Sequence, residues 1–146
     1  MVTTLNTREQ VLFFNMDIID QRHCLDVAQT CVSLLNQEQR PVNKALLIKA
    51  ALLHDTGKRA GDLKLRDRIV VVLVRLLNQS LFDRLARQAG TPYYVAANHA
   101  AIGAELCRLA RCEEDLVHLV ANHQASIPFD AAGVEAELLM KADQLN

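Results

Sequence analysis

Apolar residues recur along most of this chain at spacings of three and four, the period that turns one face of a helix toward a core. The pattern predicts helices over Thr7 to Phe14 and Asp17 to Asn36, the second with an apolar stripe through Ile18, Leu25, Ala28, Val32 and Leu35. Pro41 and Asn43 open a third helix that runs to His54 or Asp55, with Gly57 as its stop. A fourth spans Asp62 to Asn78. Its run Ile69-Val70-Val71-Val72-Leu73-Val74 has high β-propensity and by itself also fits a strand, but the flanking Leu63, Leu65, Leu76 and Leu77 favour a helix. Ser80 caps a short helix ending near Gln88, and Gly90-Thr91-Pro92 breaks it. Helices over Tyr93 to Arg111, Glu113 to Gln124 and Ala131 to Gln144 complete the chain. Glu113, Glu114 and Asp115 suit a first turn, where the macrodipole favours negative charge. No segment alternates convincingly with period two. The expected architecture is all-α: an irregular single-domain helical bundle of about six to eight helices over residues 1–146.

A chain of 146 residues suits one domain, and a core of this size buries roughly 70% of the unfolded surface without a staple. Aromatics are few, so that core must be Leu, Val, Ile and Ala. A formal net charge of −1 gives no broad pull toward a nucleic acid duplex or an anionic membrane. An anionic substrate must therefore be held by a local site. Cys24, Cys31, Cys107 and Cys112 form no CxxC pair, and Thr3 to Gln10 is too polar for a secretory signal. The cysteines read as reduced, buried or half-buried thiols of a cytoplasmic protein. The longest apolar run, Ile69 to Val74, is far too short to span a bilayer.

The chemistry lies in the histidines. His23 shares a helix face with Val27, Cys31 and Leu34, and His54 lies above Ala50 and Leu47. His99 aligns with Val95, Ile102, Gly103 and Leu106, and His123 with Leu116, Leu119 and Val120. All four project inward. His118 aligns instead with Glu114, Asp115 and Asn122 and is expected at the surface. One histidine on an apolar stripe is usually a core residue with a satisfied hydrogen bond. Four on separate helices each need a partner that an apolar core hardly offers, and a shared metal satisfies several at once. Asp55 adds weight. The segment Ala45 to Leu53, apolar on almost every side except Lys49, reads as a buried helix that delivers an ionised carboxylate into the interior. Such a charge costs several kcal/mol unless a cation compensates it. Lys58 is one candidate cation and a divalent metal a stronger one. Asp143 follows Leu138, Leu139, Met140 and Ala142 near the end of the last helix; standing alone it would read as a solvated carboxylate. Cys24, next to His23, is a weaker candidate ligand beside these harder donors.

His23, then His54-Asp55, then Asp143 resembles the H…HD…D signature of the HD superfamily of metal-dependent phosphohydrolases. Leu52-Leu53-His54-Asp55-Thr56-Gly57-Lys58 is similar to the LLHDxGK form of that motif. His99 and His123 match two further histidines of the subset with binuclear sites, which includes the HD-GYP phosphodiesterases and the HD-type dinucleoside tetraphosphate hydrolases. Asn98 to Leu106 is similar to their HxxxGA helix, and Ala142-Asp143 to their terminal AD. Two features depart from those subfamilies: there is no GYP motif, and Asn122-His123-Gln124-Ala125-Ser126 replaces their strings around the last histidine. The stretch from Lys58 to His99 is also longer, with the Asp62–Gln88 helices inserted.

The resemblance implies that His23, His54, Asp55 and Asp143 hold a first metal, and that Asp55, His99 and His123 hold a second, bridged by Asp55. The cofactor is then one or two divalent transition metal ions: Fe, Mn, Zn, Ni or Co rather than Ca, with Mg less suited. The implied activity is hydrolysis of a phosphoester or phosphoanhydride, of a nucleotide or another small phosphorylated substrate, by a metal-activated water. Asp55 and Lys58 would be the catalytic residues. Lys58, Arg22 and Arg59 would bind the substrate. Lys58 reads equally as a helix C-terminal cation, and the two arginines as surface residues. The competing readings are a non-catalytic HD-like module that binds a nucleotide signal and a structural bundle without a site. A homo-oligomer is compatible with any of them.

Overall fold

A computed structural model describes residues 2–61, 65–124 and 133–146, and among them are eight α-helices and no strand. These are α1 (Thr7–Phe14), α2 (Ile18–Leu35), α3 (Lys44–Leu53), α4 (Leu65–Leu77), α5 (Gln79–Leu85), α6 (Pro92–Leu109), α7 (Glu114–Asn122) and α8 (Val134–Gln144). The helices expected to begin at Asp62 and at Ala131 have those starts, with Leu63, outside the described residues.

Several boundaries follow from side chains that bond the free N–H groups of a first turn. Asn6 Oδ1 accepts from the Arg8 and Glu9 amides while Glu9 Oε2 accepts from the Asn6 amide, a reciprocal capping box. Asn43 caps α3 through the Leu46 amide, and Thr91 caps α6 through the Tyr94 amide with Pro92 at the first helical position. The α5 expectation is corrected: Asn78 accepts from the Leu81 amide, so the helix starts at Gln79 and Ser80 lies inside it. Gly57 is likewise not the stop of α3. The helix ends at Leu53 with His54 as its C-cap, and the chain continues as a 3-10 helix over Thr56–Gly61.

α3 is the axis of the bundle. Leu47, Ala50, Ala51, Leu52 and Leu53 are fully buried against α2, α7 and α8, as expected of a helix that is apolar nearly all round. Its exception, Lys49, reaches Glu9 of α1, whose carboxylate is buried at 1% exposure, with Nζ 3.0 Å from Oε1. A buried carboxylate that loses its cation is costly. Lys49→Met is therefore expected to lower stability by about 3 kcal/mol, and adding Glu9→Gln should recover most of the loss in urea titrations. Equal stability of the single and double variants would show that the unpaired charge is not the cause.

α8 is tied to the turn before α3: Arg40 Nη1 donates to Glu137 Oε2 at 2.8 Å, and the Asn43 amide donates to Glu135 Oε1 at 2.7 Å. The helix that carries Asp143 is thereby fixed beside the one that ends at His54. At the other edge lies α4, packed chiefly on α5 and α6. Its run from Ile69 to Val74 is helical, which excludes the strand alternative. Val71 turns inward, while Ile69, Val72, Leu73 and Leu76 stay exposed. No helix among the described residues is long and apolar enough to cross a membrane.

Candidate metal centre

The end of α3 is where two residues adjacent in sequence come to face one place. At an unbroken α-helix they would point about 100° apart. Here the α-helix stops at the C-cap His54 and tightens into the 3-10 helix, and His54 Nε2 lies 3.5 Å from Asp55 Oδ2. The 3-10 segment then lies directly on α6. A Cβ at Gly57 would fall 1.9 Å from the His99 carbonyl oxygen and 2.6 Å from the Gly103 amide nitrogen. A Cβ at Gly103 would meet the Gly57 nitrogen and Val120 Cγ1 of α7, both at 3.2 Å. The two glycines thus let the Asp55 segment, α6 and α7 close onto one another.

The carboxylate of Asp55, 1% exposed, divides its two oxygens between two groups of imidazoles. Oδ2 lies 3.5 Å from His54 Nε2 and 3.7 Å from His23 Nε2, and pairs with Lys58 Nζ. Oδ1 lies 3.4 Å from His99 Nε2 and 3.9 Å from His123 Nε2. Asp143 Oδ1 closes the first group, 3.0 Å from His23 Nε2 and 3.5 Å from His54 Nε2. All six residues expected to meet do so. The two groups also touch, since His54, His123 and Asp143 present ligand atoms within 4.8 Å of one another.

The three buried imidazoles share one device. His54 Nδ1 lies 2.9 Å from the Ala51 carbonyl, His99 Nδ1 3.0 Å from that of Ala96, and His123 Nδ1 2.7 Å from that of Val120. In each case the carbonyl three residues back takes the Nδ1 proton, which assigns the tautomer and leaves the Nε2 lone pair facing the centre. Burial pushes His123 down to about 4, with the neighbouring His54 charge adding to it, and burial lowers His99 as well. Burial also opposes the charge of His54, but Asp55 and Asp143 outweigh it and raise its pKa. Burial would raise Asp55, yet His54 and Lys58 prevail and hold it at about 2. Asp143 is lowered in the same way, its burial overcome by its hydrogen bond to His23 and by the attraction of the nearby His54 ring.

His99 and His123, neutral in this tautomer, set Nε2 lone pairs against those of the Asp55 carboxylate, and His54 would present its Nε2 in the same way once a cation displaced its proton. His54 Nε2, Asp55 Oδ1, His99 Nε2 and His123 Nε2 are all buried without a hydrogen-bond partner. Each such atom costs about 1–3 kcal/mol, and here they converge. Cations held by these groups would satisfy them: Asp55, His99 and His123 form one ligand cluster, and His54 belongs to a second with His23 and Asp55. The mixed imidazole and carboxylate donors fit divalent transition ions. The residues present therefore fit the metal that the sequence implies.

Other expected residues fall elsewhere. Lys58 is at the centre. Arg22 is exposed and paired with Asp26 of its own helix at 3.0 Å, and Arg59 is exposed and donates to the Asn15 carbonyl. Neither lines the cavity that opens beside Lys58 and His99. Cys24 Sγ lies 3.8 Å from His54 Nδ1, on the side of the ring turned away from the centre, so it is not placed as a ligand. The cysteines are free, with Cys24, Cys31 and Cys107 buried. His118 is exposed, as its polar helix face implies. Sequence reasoning missed Arg75 of α4, which lines the cavity. The only signal was the extra length between Lys58 and His99.

No curated protein and no solved structure matches this chain. The family model described as HD domain matches residues 21–146, which takes in all six converging side chains.

Proposed function

The chain belongs to the HD domain family, whose members are generally metal-dependent phosphohydrolases, and on that premise we propose that it hydrolyses a phosphoester or phosphoanhydride bond of a small phosphorylated substrate, a nucleotide among the candidates. The observation that carries this reading is the set of four buried, unpartnered polar atoms among six converging ligand side chains. His23, His54, Asp55 and Asp143 would hold one divalent ion and Asp55, His99 and His123 another. Fe, Mn, Zn, Ni and Co suit these donors. Such ions supply Lewis acidity toward a phosphoryl oxygen and acidify water.

The protein's own part is arrangement. The three Nδ1–carbonyl bonds hold the imidazoles in one tautomer and one orientation. Asp55 spans both groups with its two oxygens. Lys58, about one-third exposed, pairs with Asp55 and lines the cavity, where it would neutralise a phosphoryl oxygen. The burial of His54, His99 and His123 keeps bulk water from that side of the centre, and the cavity beside Lys58 and His99 offers a route by which substrate would reach it.

Metal analysis of protein purified without chelator, together with turnover of phosphate esters before and after chelation, tests this directly. Bound transition metal and chelator-sensitive turnover are expected. His118→Ala should leave both unchanged, since that ring lies on the exposed face of α7. Metal without turnover of any ester would favour a binding module over an enzyme. Absence of metal under every preparation would remove the reading altogether.

A further inference from the structure

The cavity beside the metal centre holds about 320 Å³ and lies between α4, α5 and α6. That volume is at the lower end of small-molecule sites, about 300–1,000 Å³. A phosphate ion has five heavy atoms, and a water occupies about 30 Å³ in the liquid. The space therefore exceeds what a phosphoryl group needs, and there is room for an organic body. Val71, Val72 and Phe82 give that body an apolar wall.

Among the described residues Lys58 and Arg75 line the cavity, and no carboxylate does. Lys58 is already committed to Asp55. Arg75 has a different support: its guanidinium carbon sits 5.4 Å from the centroid of the Phe82 ring. Phe82 is itself buried and meets the edge of Tyr93. A guanidinium held on an aromatic face is favourable by cation–π attraction and keeps its edge N–H donors free for a planar, bidentate bond to an anion. A buried aromatic thus fixes a solvent-reaching cation in the cavity wall contributed by α4.

We propose that this cavity binds a bis-anionic organic phosphate. The phosphoryl group to be cleaved lies at the Lys58–His99 end, the apolar or ring-bearing body lies along Val71 and Val72, and a second anionic group, carboxylate or further phosphate, pairs with Arg75. Arg75 is then a specificity-determining residue supplied by the helices inserted between Lys58 and His99. The inference rests on the hydrolase reading only for the placement of the cleaved group.

The test uses two hydrolysis-resistant ligands that differ in one charge, benzylphosphonate and its para-carboxy derivative, titrated calorimetrically into the metal-loaded protein. The carboxylated ligand is expected to bind about tenfold more tightly, as one charge-assisted hydrogen-bonded pair near the surface implies. Arg75→Met keeps an unbranched side chain over Phe82 and should erase that preference, with the affinity for benzylphosphonate unchanged within about twofold. Arg75→Lys should restore part of it. Equal affinities in the unaltered protein overturn the proposal, as does an Arg75→Met variant that weakens both ligands alike. Failure of all turnover with the preference intact would defeat the hydrolase reading alone. Turnover without any preference would defeat this inference alone.

Discussion

Replacing Asp55 by alanine is expected to remove the bound metal and lower turnover about a thousandfold or more. Asp55 faces both groups of imidazoles with separate oxygens, Oδ2 toward His23 and His54 and Oδ1 toward His99 and His123. Without it neither group retains its shared oxygen, and the second keeps imidazoles alone. Lewis-acid stabilisation is worth several kcal/mol, and about 4 kcal/mol corresponds to three powers of ten in rate. Asp55→Asn should lose nearly as much despite its equal volume, because an amide presents one acceptor and no charge. Stability separates loss of metal from loss of fold. A ligand at a hundred times its dissociation constant stabilises a protein by about 2.7 kcal/mol. The unaltered chain should therefore melt at higher temperature with metal than in chelator, and the Asp55 variants should melt alike in both. In chelator they should stay close to the unaltered protein, since alanine removes an unpartnered oxygen and the freed Lys58 ammonium can reach water. Elemental analysis, rate and melting curves give the three readings. Full metal content and undiminished rate in Asp55→Ala would show that the centre is organised by other residues.

The residues that made this centre legible in sequence share a physical property: each is a polar group on a helix face that has to be buried. His99 sits among Val95, Gly103 and Leu106, and His123 among Leu116, Leu119 and Val120. Periodicity alone therefore turned them inward. Asp55 could be placed inside because α3 is apolar nearly all round. The helix starts expected at Thr7 and Tyr93 fall within a residue of the observed ones, and the structure shows each set by local chemistry, Asn6 with Glu9 and Thr91 with Pro92, whose bonds run three residues along the chain. Ser80 misled because Asn78, two positions earlier, is an equally good capping residue and is the one that accepts the Leu81 amide.

What sequence could not carry was the placement of one helix against another. Arg22 and Arg59 stood out as cations flanking the motif, but one is held by Asp26 on its own helix and the other by the Asn15 carbonyl. Arg75 stood in an apolar run with nothing to mark it. It reaches the cavity because α4 and α5 bring it over Phe82, a relation set by packing between helices. The same limit hid the role of Gly57. Read along the chain it was a helix stop. Across the fold it is the point where two backbones nearly touch.

Gly57→Ala is accordingly expected to be the most destabilising of the small substitutions, by about 3 kcal/mol or more, or roughly 10 °C in melting temperature for a chain of this size. The added methyl would lie 1.9 Å from the His99 carbonyl oxygen and 2.6 Å from the Gly103 amide nitrogen. Both are main-chain atoms of α6, so no rotamer change relieves the overlap, and the 3-10 segment must move away from the helix. Gly103→Ala gives the graded comparison. Its contacts begin at 3.2 Å, one of them the Val120 side chain, which can yield by a few tenths of an ångström. It should cost about 1–2 kcal/mol. Chelated protein is the proper material for both, so that metal loss does not enter the comparison. The displacement forced by Gly57→Ala acts on the segment that follows directly from Asp55 and on the turn of α6 that carries His99, and Asp55 Oδ1 and His99 Nε2 are 3.4 Å apart in the unaltered chain. Metal affinity in that variant should therefore fall even at temperatures where it remains folded, and in Gly103→Ala it should fall less. A Gly57→Ala protein that melts within about 2 °C of the unaltered one would mean that the two backbones do not meet as closely as this, and the approach of Asp55 to His99 would need another cause.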